Sequence, residues 1–361
     1  PDARLRPLIG LLPVPPLKAE LRRLIEWTAD YYCASLASVA RMVLASGGAL
    51  RGPATMIEYR LTGGLPERMT PQRQAAIEAL DGEQATIREL AGIAGVSEGV
   101  LRGLVNQGVL EPVEVDCDRP HPRARADFAV PVLSEDQTEA AAQFVAAVKK
   151  AAFAPFLLDG VTGSGKTEVY FEAIAAALAK KRQVLVLLPE IALTEAFLRR
   201  FEDRFGAAPV VWHSSLKSTE RRRAWRAIAA GEAQVVVGAR SALFLPYAQL
   251  GLIVVDEAHE ISFKQDEGVR YNARDVAVMR ARFERIPVIL SSATPALESL
   301  QMAESGVYAK VELADRFGGA QLPSIDTLDL THEKPERGRW LAPRLVAAMR
   351  ERLTRGEQSL L

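Results

Sequence analysis

Residues Gly160-Val161-Thr162-Gly163-Ser164-Gly165-Lys166-Thr167 have the spacing G-x-x-x-x-G-K-[ST], a pattern suited to chemistry on a phosphate chain. Glycines let the backbone curl until successive N–H groups face one phosphate, and a helix starting there adds its positive end. Lys166 supplies a charge for the β- and γ-phosphates, and the Thr167 hydroxyl is a ligand for Mg²⁺. Glu168 closes the run of candidate nucleotide contacts. Further along, Leu252-Ile253-Val254-Val255 runs into Asp256-Glu257-Ala258-His259. A buried strand would deliver Asp256 at its C-terminal end, where open α/β sheets hold ligands. Asp256 can share Mg²⁺ with Thr167 through water, and Glu257 can polarise the water that attacks the γ-phosphate. Lys166, Asp256 and Glu257 are therefore the candidate catalytic residues, with ATP and Mg²⁺ as the cofactors.

Four further positions join this set. His259 reads as a coupling residue between the nucleotide and neighbouring motifs, because a partner at zinc-ligand spacing is lacking. Ser291-Ser292-Ala293-Thr294-Pro295 follows an apolar run, and the hydroxyls of Ser292 and Thr294 can bridge the acidic site to a bound strand. Gln137, in Leu133-Ser134-Glu135-Asp136-Gln137, can read an adenine edge with one donor and one acceptor. A capped helix start is the other reading of that segment.

The elements that must position these groups are visible as apolar runs. Phe156–Leu158, Gln183–Leu188, Val210–Trp212, Gln234–Val237, Leu252–Val255 and Pro287–Leu290 alternate with helical stretches. Runs this apolar suit strands buried on both faces of a parallel sheet, so the spacing predicts a doubly wound α/β domain over 133–345. Upstream, Leu17 to about Ala45 has helical spacing, with a Trp27/Tyr31/Tyr32 stripe that reads as core, or else as a stacking platform. Residues 46–68 read as a glycine-rich linker containing one short strand, Met56–Leu61. Over 69–118 the signals run helix from Thr70-Pro71 to Leu80, helix Thr86–Ile93, turn, helix Ser97–Gln107 capped by Ser97, then strand Val109–Val115. That order is the winged-helix pattern. Its second helix of the turn holds only Arg102 as a basic residue, so DNA contact and protein contact stand level. Residues 119–132, with Arg119, Arg123 and Arg125 among prolines, read as a solvated tether. Leu345–Arg355 is an amphipathic helix, and 346–361 reads as the opening of a further, truncated lobe.

The chain has 361 residues, 48% hydrophobic and 25% charged, with 45 basic against 45 acidic side chains. This is ordinary soluble-protein composition with room for two or three domains. The zero formal charge gives no global attraction to nucleic acid, so any such partner must use local basic strips. No apolar stretch approaches the roughly 20 residues of a membrane span. Cys33 and Cys117 are too few for a disulfide framework or a zinc site, which favours a reducing cytoplasm. The start at Pro1, without an initiator Met, reads as that of an excised piece.

The order of motifs is that of a superfamily 2 helicase, and the wording goes further. Gly160 to Tyr170, Leu188-Pro189-Glu190-Ile191-Ala192-Leu193-Thr194, His213-Ser214-Ser215-Leu216, Gly238-Ala239-Arg240-Ser241-Ala242-Leu243-Phe244, Lys264-Gln265-Asp266-Glu267-Gly268 and Tyr271-Asn272-Ala273-Arg274-Asp275 resemble the bacterial PriA (primosomal protein N′) replication-restart helicase family. The resemblance implies a RecA-like lobe and a 3′-to-5′ DNA translocase that recognises stalled forks. It also implies as partners forked and single-stranded DNA, single-stranded-DNA-binding protein, primosome proteins and the loader of the replicative helicase. Three departures accompany it: most of the family's N-terminal DNA-binding domain is missing, with a remnant in 1–68. The second lobe with its arginine finger and zinc-binding cysteines is also missing. And Ala258 stands where the family often has Glu. Without the finger, which supplies about 10³–10⁵ in rate in related enzymes, this piece is expected to hydrolyse ATP poorly.

DNA is expected at the strand ends marked by Thr194, Arg240 and Ser241, which offer hydroxyls and a guanidinium to phosphates. Phe263, Lys264, Arg270, Tyr271 and Arg274 form a basic-aromatic segment that can stack a base and report it to Glu257, or else a surface loop with a core-facing Phe. Two competing functions remain. One is another superfamily 2 DNA translocase; the other is a nucleotide-sensing winged-helix DNA-binding module.

Overall fold

The structure, a computed structural model, describes residues 10–12, 14–44, 47–51, 55–80, 84–116, 118, 120–189, 195–316 and 325–361. The chain divides into two compact units, Pro1–Phe317 and Gly318–Leu361.

In the first unit, seven parallel strands form one sheet among the described residues. They are β3 (Ala154–Gly160), β4 (Gln183–Leu187), β5 (Val210–Trp212), β6 (Val235–Gly238), β7 (Leu250–Val255), β8 (Pro287–Ser292) and β9 (Ala309–Leu313). Their order is β5-β6-β4-β7-β8-β3-β9. Every residue of β4, β7 and β8 is buried, as a strand covered on both faces requires. Alternate residues feed two cores, since successive side chains point to opposite faces. Leu185, Leu187, Ile253, Val255, Val288 and Leu290 face one core, while Val184, Val186, Leu252, Val254 and Ile289 face the other. The second core is covered by α6 (Glu135–Lys150), α7 (Lys166–Ala179) and α8 (Glu195–Phe205). The first is covered by α9 (Ser218–Ala230) and α10 (Ala273–Glu284), together with α1 (Ala19–Tyr31) and α2 (Leu36–Val43). Residues 19–43 thus share the core of the sheet. Their attachment is polar as well: Trp225 Nε1 donates to the Val43 carbonyl at 3.0 Å.

One sequence expectation needs correction here, and one strand has no counterpart among the predicted elements. The Trp27/Tyr31/Tyr32 stripe is not wholly core: Trp27 stacks on Tyr31 with centroids 4.9 Å apart, and Tyr31 is 64% exposed. The edge strand β9 was not foreseen. Its Ala-Lys-Val-Glu-Leu pattern alternates and buries one side only, unlike the continuous apolar runs of its neighbours.

Residues 55–116 fold around a core of their own, centred on Ala76, Leu80, Leu90, Leu101, Leu104, Val109 and Leu110. Strand β1 (Thr55–Leu61) pairs antiparallel with β2 (Leu110–Asp116), in the register Thr55↔Asp116 to Leu61↔Leu110. Three helices, α3 (Pro71–Leu80), α4 (Ile87–Ala94) and α5 (Glu98–Asn106), pack against this ribbon. Thr70 Oγ1 accepts from Arg73 N at 3.3 Å at the head of α3, and Thr86 forms a capping box with Glu89 on α4. Gly95 ends α4 in the left-handed region, which glycine enters without steric cost. Ser97 occupies the cap position of α5 but makes no side-chain cap bond.

Residues 119–132 are expected as a solvated tether, but residues 120–133, together with Asp118, form a docked strap. Both Asp118 oxygens accept from Arg226 of α9, at 2.6 and 2.9 Å. Arg125 N donates to the Phe205 carbonyl and Ala129 N to that of Arg204, while Arg204 Nη1 donates to the Ala126 carbonyl. Phe128 lies on Gly206, where a Cβ would come within 2.7 Å of the ring. Most of these partners are main-chain groups, so a side-chain pattern gives no sign of them. Asp118→Ala should therefore loosen the strap at its head, costing about 1–3 kcal/mol as a charge-assisted pair is lost. Faster protease cleavage within 118–133, measured against the intact chain, is the expected result.

In the second unit, α12 (Pro343–Thr354) carries Pro at its first turn, where a missing N–H costs nothing. Arg344 lies 3.7 Å from both Asp326 and Glu333.

Candidate nucleotide site

The glycine turn leaves β3 and enters α7. Gly163 and Gly165 have φ of +84° and +82°, which side chains beyond Cα resist. Gly165 is crowded as well, since a Cβ there would collide with the Gln137 amide. Lys166 is buried beneath the loop, and its Nζ donates to the carbonyls of Gly160 (2.7 Å) and Val161 (3.3 Å). The loop is also pinned to the sheet edge, because Val161 N donates to Leu313 O of β9.

Gln137 stands apart from its expected role. It is 3% exposed. Its Oε1 accepts from Ser134 N at 3.0 Å in a capping box, and its Nε2 donates to the Ser164 carbonyl at 2.8 Å. The amide that could read an adenine edge thus ties the start of α6 to the phosphate loop, and Gln137 also lines the cleft.

Asp256 leaves the C-terminal end of β7, two strands from β3 with β8 between. Its backbone N–H donates to Leu187 O (3.0 Å), and the turn that follows is fixed by Ala258 N to Ser291 O (2.8 Å). Its carboxylate accepts from Tyr170 Oη (2.9 Å) and Ser291 Oγ (2.8 Å). Burial, and next the Asp256 charge, hold the Tyr170 hydroxyl well above its ordinary value, so it stays a proton donor. Neither contact was foreseen. The spacing of Tyr170, four residues after Lys166 and so on the same helix face, was the available signal.

Glu257 has φ of +49°, a left-handed conformation rare outside glycine and a frequent mark of functional positions. Burial raises its carboxyl above the usual range, and the neighbouring Asp256 adds to this while Lys166 and His259 oppose it. His259 Nδ1 lies 3.5 Å from Glu257 Oε2 and 2.8 Å from Ser292 Oγ, and Thr294 N donates to Ser292 Oγ at 3.1 Å. The expected coupling residues thus form one chain leading away from Glu257.

The phosphate turn and the two acids line one cleft of about 440 Å³. Its walls include Gly163, Gly165, Lys166, Thr167, Glu168, Asp256 and Glu257, with Arg200 of α8 and residues Pro131 to Leu133 of the strap. The Thr167 hydroxyl and the Asp256 carboxylate are the hard oxygen donors that Mg²⁺ prefers, so the residues present fit that ion.

A family model for DEAD/DEAH box helicases matches residues 134–303. A replication restart protein PriA of Rickettsia felis is 43% identical over 234 residues, covering 65% of this chain and 35% of that protein. The replication restart protein PriA of Haemophilus influenzae is 32% identical over 375 residues, covering 100% of this chain and 51% of that protein. This chain belongs to the PriA family of superfamily 2 helicases. It spans about a third to a half of the length of those PriA relatives. The solved helicase domain of Pyrococcus furiosus Hef is similar over 52% of this chain and 41% of its own, with TM-score 0.36 and 20% identity.

The residues expected to meet DNA are placed unevenly. Ser241, Lys264 and Arg270 are exposed; Ser241 Oγ accepts from Trp212 Nε1 at 3.1 Å, and Arg240 Nη1 donates to the Lys264 carbonyl at 2.6 Å. Phe263 (1% exposed) and Tyr271 (2%) belong to the core shared with α1 and α10, so neither ring can stack on a base. Arg274 is largely buried and paired with Asp275 at 3.0 Å. Thr194 lies outside the described residues. Among the described residues, no helix is long and apolar enough to cross a membrane.

Proposed function

We propose that this chain is the nucleotide-binding motor of a cytoplasmic, ATP-dependent 3′-to-5′ DNA helicase that recognises stalled replication forks and promotes replication restart. The convergence of Lys166 with Asp256 and Glu257 on one cleft at the C-terminal edge of the sheet carries this reading. Family membership directs it toward forks, single-stranded-DNA-binding protein, primosome proteins and the replicative helicase loader as partners.

In this reading Gly160 to Glu168 bind the triphosphate through loop N–H groups and the Lys166 ammonium. Thr167 and Asp256 would hold Mg²⁺, which would neutralise charge on the phosphate oxygens. Tyr170 and Ser291 orient Asp256 from two sides. Glu257 aligns the attacking water and takes its proton. The His259–Ser292–Thr294 chain transmits the state of Glu257 to the strand end that meets DNA. Ser241, Lys264 and Arg270 form the exposed part of that surface, with the half-buried Arg240 beside them. Residues 1–68 represent the tail of an N-terminal DNA-binding domain and 69–118 a winged-helix domain, joined by 119–132 to the helicase lobe 133–345, with 346–361 opening the next lobe. The three-helix unit with its antiparallel ribbon supports the winged-helix assignment, with β1 supplied from the preceding stretch.

ATP hydrolysis measured with and without a forked duplex tests the proposal. Turnover should rise with the fork, and a displaced strand should appear when the single-stranded tail ends 3′ but not when it ends 5′. DNA-independent turnover without strand separation, by the intact protein, would instead mark a nucleotide sensor.

A further inference from the structure

We propose that Arg200 receives the base of the bound nucleoside triphosphate on the flat face of its guanidinium. The inference rests on the ATP-binding reading above and names a specificity-determining residue for it. The phosphate end of the cleft is fixed by the glycine turn, Lys166 and Thr167, with the two acids beside them. Apart from Gln137, which the fold engages, what remains of the lining is Pro131, Val132 and Leu133 from the strap and Arg200 with Glu168. A base that leaves the phosphate end must meet this apolar wall and this guanidinium.

The state of Arg200 suits a ring better than a phosphate. Its Nε donates to Glu168 Oε1 at 2.8 Å, and its Nη2 lies 2.7 Å from the same oxygen. One edge of the guanidinium is therefore held, the plane is set, and the charge is compensated by a carboxylate. A compensated guanidinium is a weakened phosphate ligand, yet its face still stacks on aromatic rings. The Arg200 side chain is 47% exposed, and Val132 is 91% exposed.

The next rung between the same two helices shows what an arginine used by the fold looks like. Arg204 pairs with Glu172 at 2.9 Å, is 5% exposed, stacks on Phe205 and holds the Ala126 carbonyl. Both rungs repeat with one-turn spacing on α7 and α8. Arg204 is spent on the strap, whereas the Arg200 rung opens into the cleft.

Calorimetric titration of the chain with ATP and with inorganic tripolyphosphate tests this. Arg200→Ala and Arg200→Lys should each weaken ATP binding by about five- to thirty-fold and leave tripolyphosphate binding unchanged. If the Lys variant binds ATP as well as the parent, or if tripolyphosphate weakens in step with ATP, Arg200 acts as a charge and the stacking proposal is overturned. Lys166→Ala separates the two levels: it should weaken both ligands. Equal binding of both ligands by Lys166→Ala and the parent would overturn the nucleotide reading and this inference with it.

Discussion

Glu257→Gln should lower ATP turnover by about 10²–10⁴-fold while ATP binding stays within a few-fold of the parent. The two effects separate because the carboxylate is placed to act on water, whereas the phosphates are held by the turn and Lys166. Asp256 remains oriented by Tyr170 and Ser291, so Glu257→Gln leaves the metal-binding carboxylate in place. Turnover and equilibrium binding measured on the same preparation check this, and near-parental turnover would remove Glu257 from the chemistry. The pH dependence has a definite sign. Burial and Asp256 raise the Glu257 carboxyl above its ordinary value, and a base must be ionised to act. The acid limb of the turnover profile should therefore lie above the ordinary carboxylate range, and the Gln variant should lack that limb. Stability runs the other way. Between the ordinary and the raised pKa the folded chain retains a proton that the unfolded chain has released, so stability falls as pH rises through that window. Replacing the charged group by an amide should consequently raise the melting temperature slightly at neutral pH. A higher melting point with lower turnover is what a carboxylate held against burial and a neighbouring like charge for function would give.

The parts legible in the sequence were those whose physics is local or periodic. Continuous apolar runs such as Leu252–Val255 announce strands buried on both faces, and Thr86 with Glu89 announces a helix start. The phosphate turn and the two acids were legible because their chemistry demands fixed residue types at fixed spacing. What failed to show depends on partners distant in sequence. Phe263 and Tyr271 sit among basic residues, which suggested a nucleic-acid surface. Only the helices α1 and α10 on that face of the sheet make them core. The strap is held by main-chain carbonyls of α8 and by one arginine of α9 that grips Asp118, contacts that composition cannot report. Arg200 belongs to no motif and gains meaning only because Glu168 and the strap meet beside it.

Gly165→Ala should abolish useful nucleotide binding and destabilise the fold together, and its companion Gln137→Ala should explain why. At Gly165 the backbone sits at φ +82°, where an alanine costs about 1–3 kcal/mol. The added Cβ would also strike the Gln137 amide, whose Nε2 holds the Ser164 carbonyl. Relief of that collision must move either the turn or the latch, and both set the direction of the loop N–H groups. Misaiming two charge-assisted bonds, each contributing about 1.5 kcal/mol or more, weakens the triphosphate by roughly 10²-fold. Gln137→Ala leaves the backbone unstrained and removes only the latch and the helix cap, so its loss should be smaller in both binding and melting temperature. It also decides between the two roles of that residue. A latch acts through the phosphate turn, so ATP and inorganic tripolyphosphate should weaken by the same factor. A reader of the adenine edge would weaken ATP alone, and that result would return Gln137 to the base end of the cleft beside Arg200.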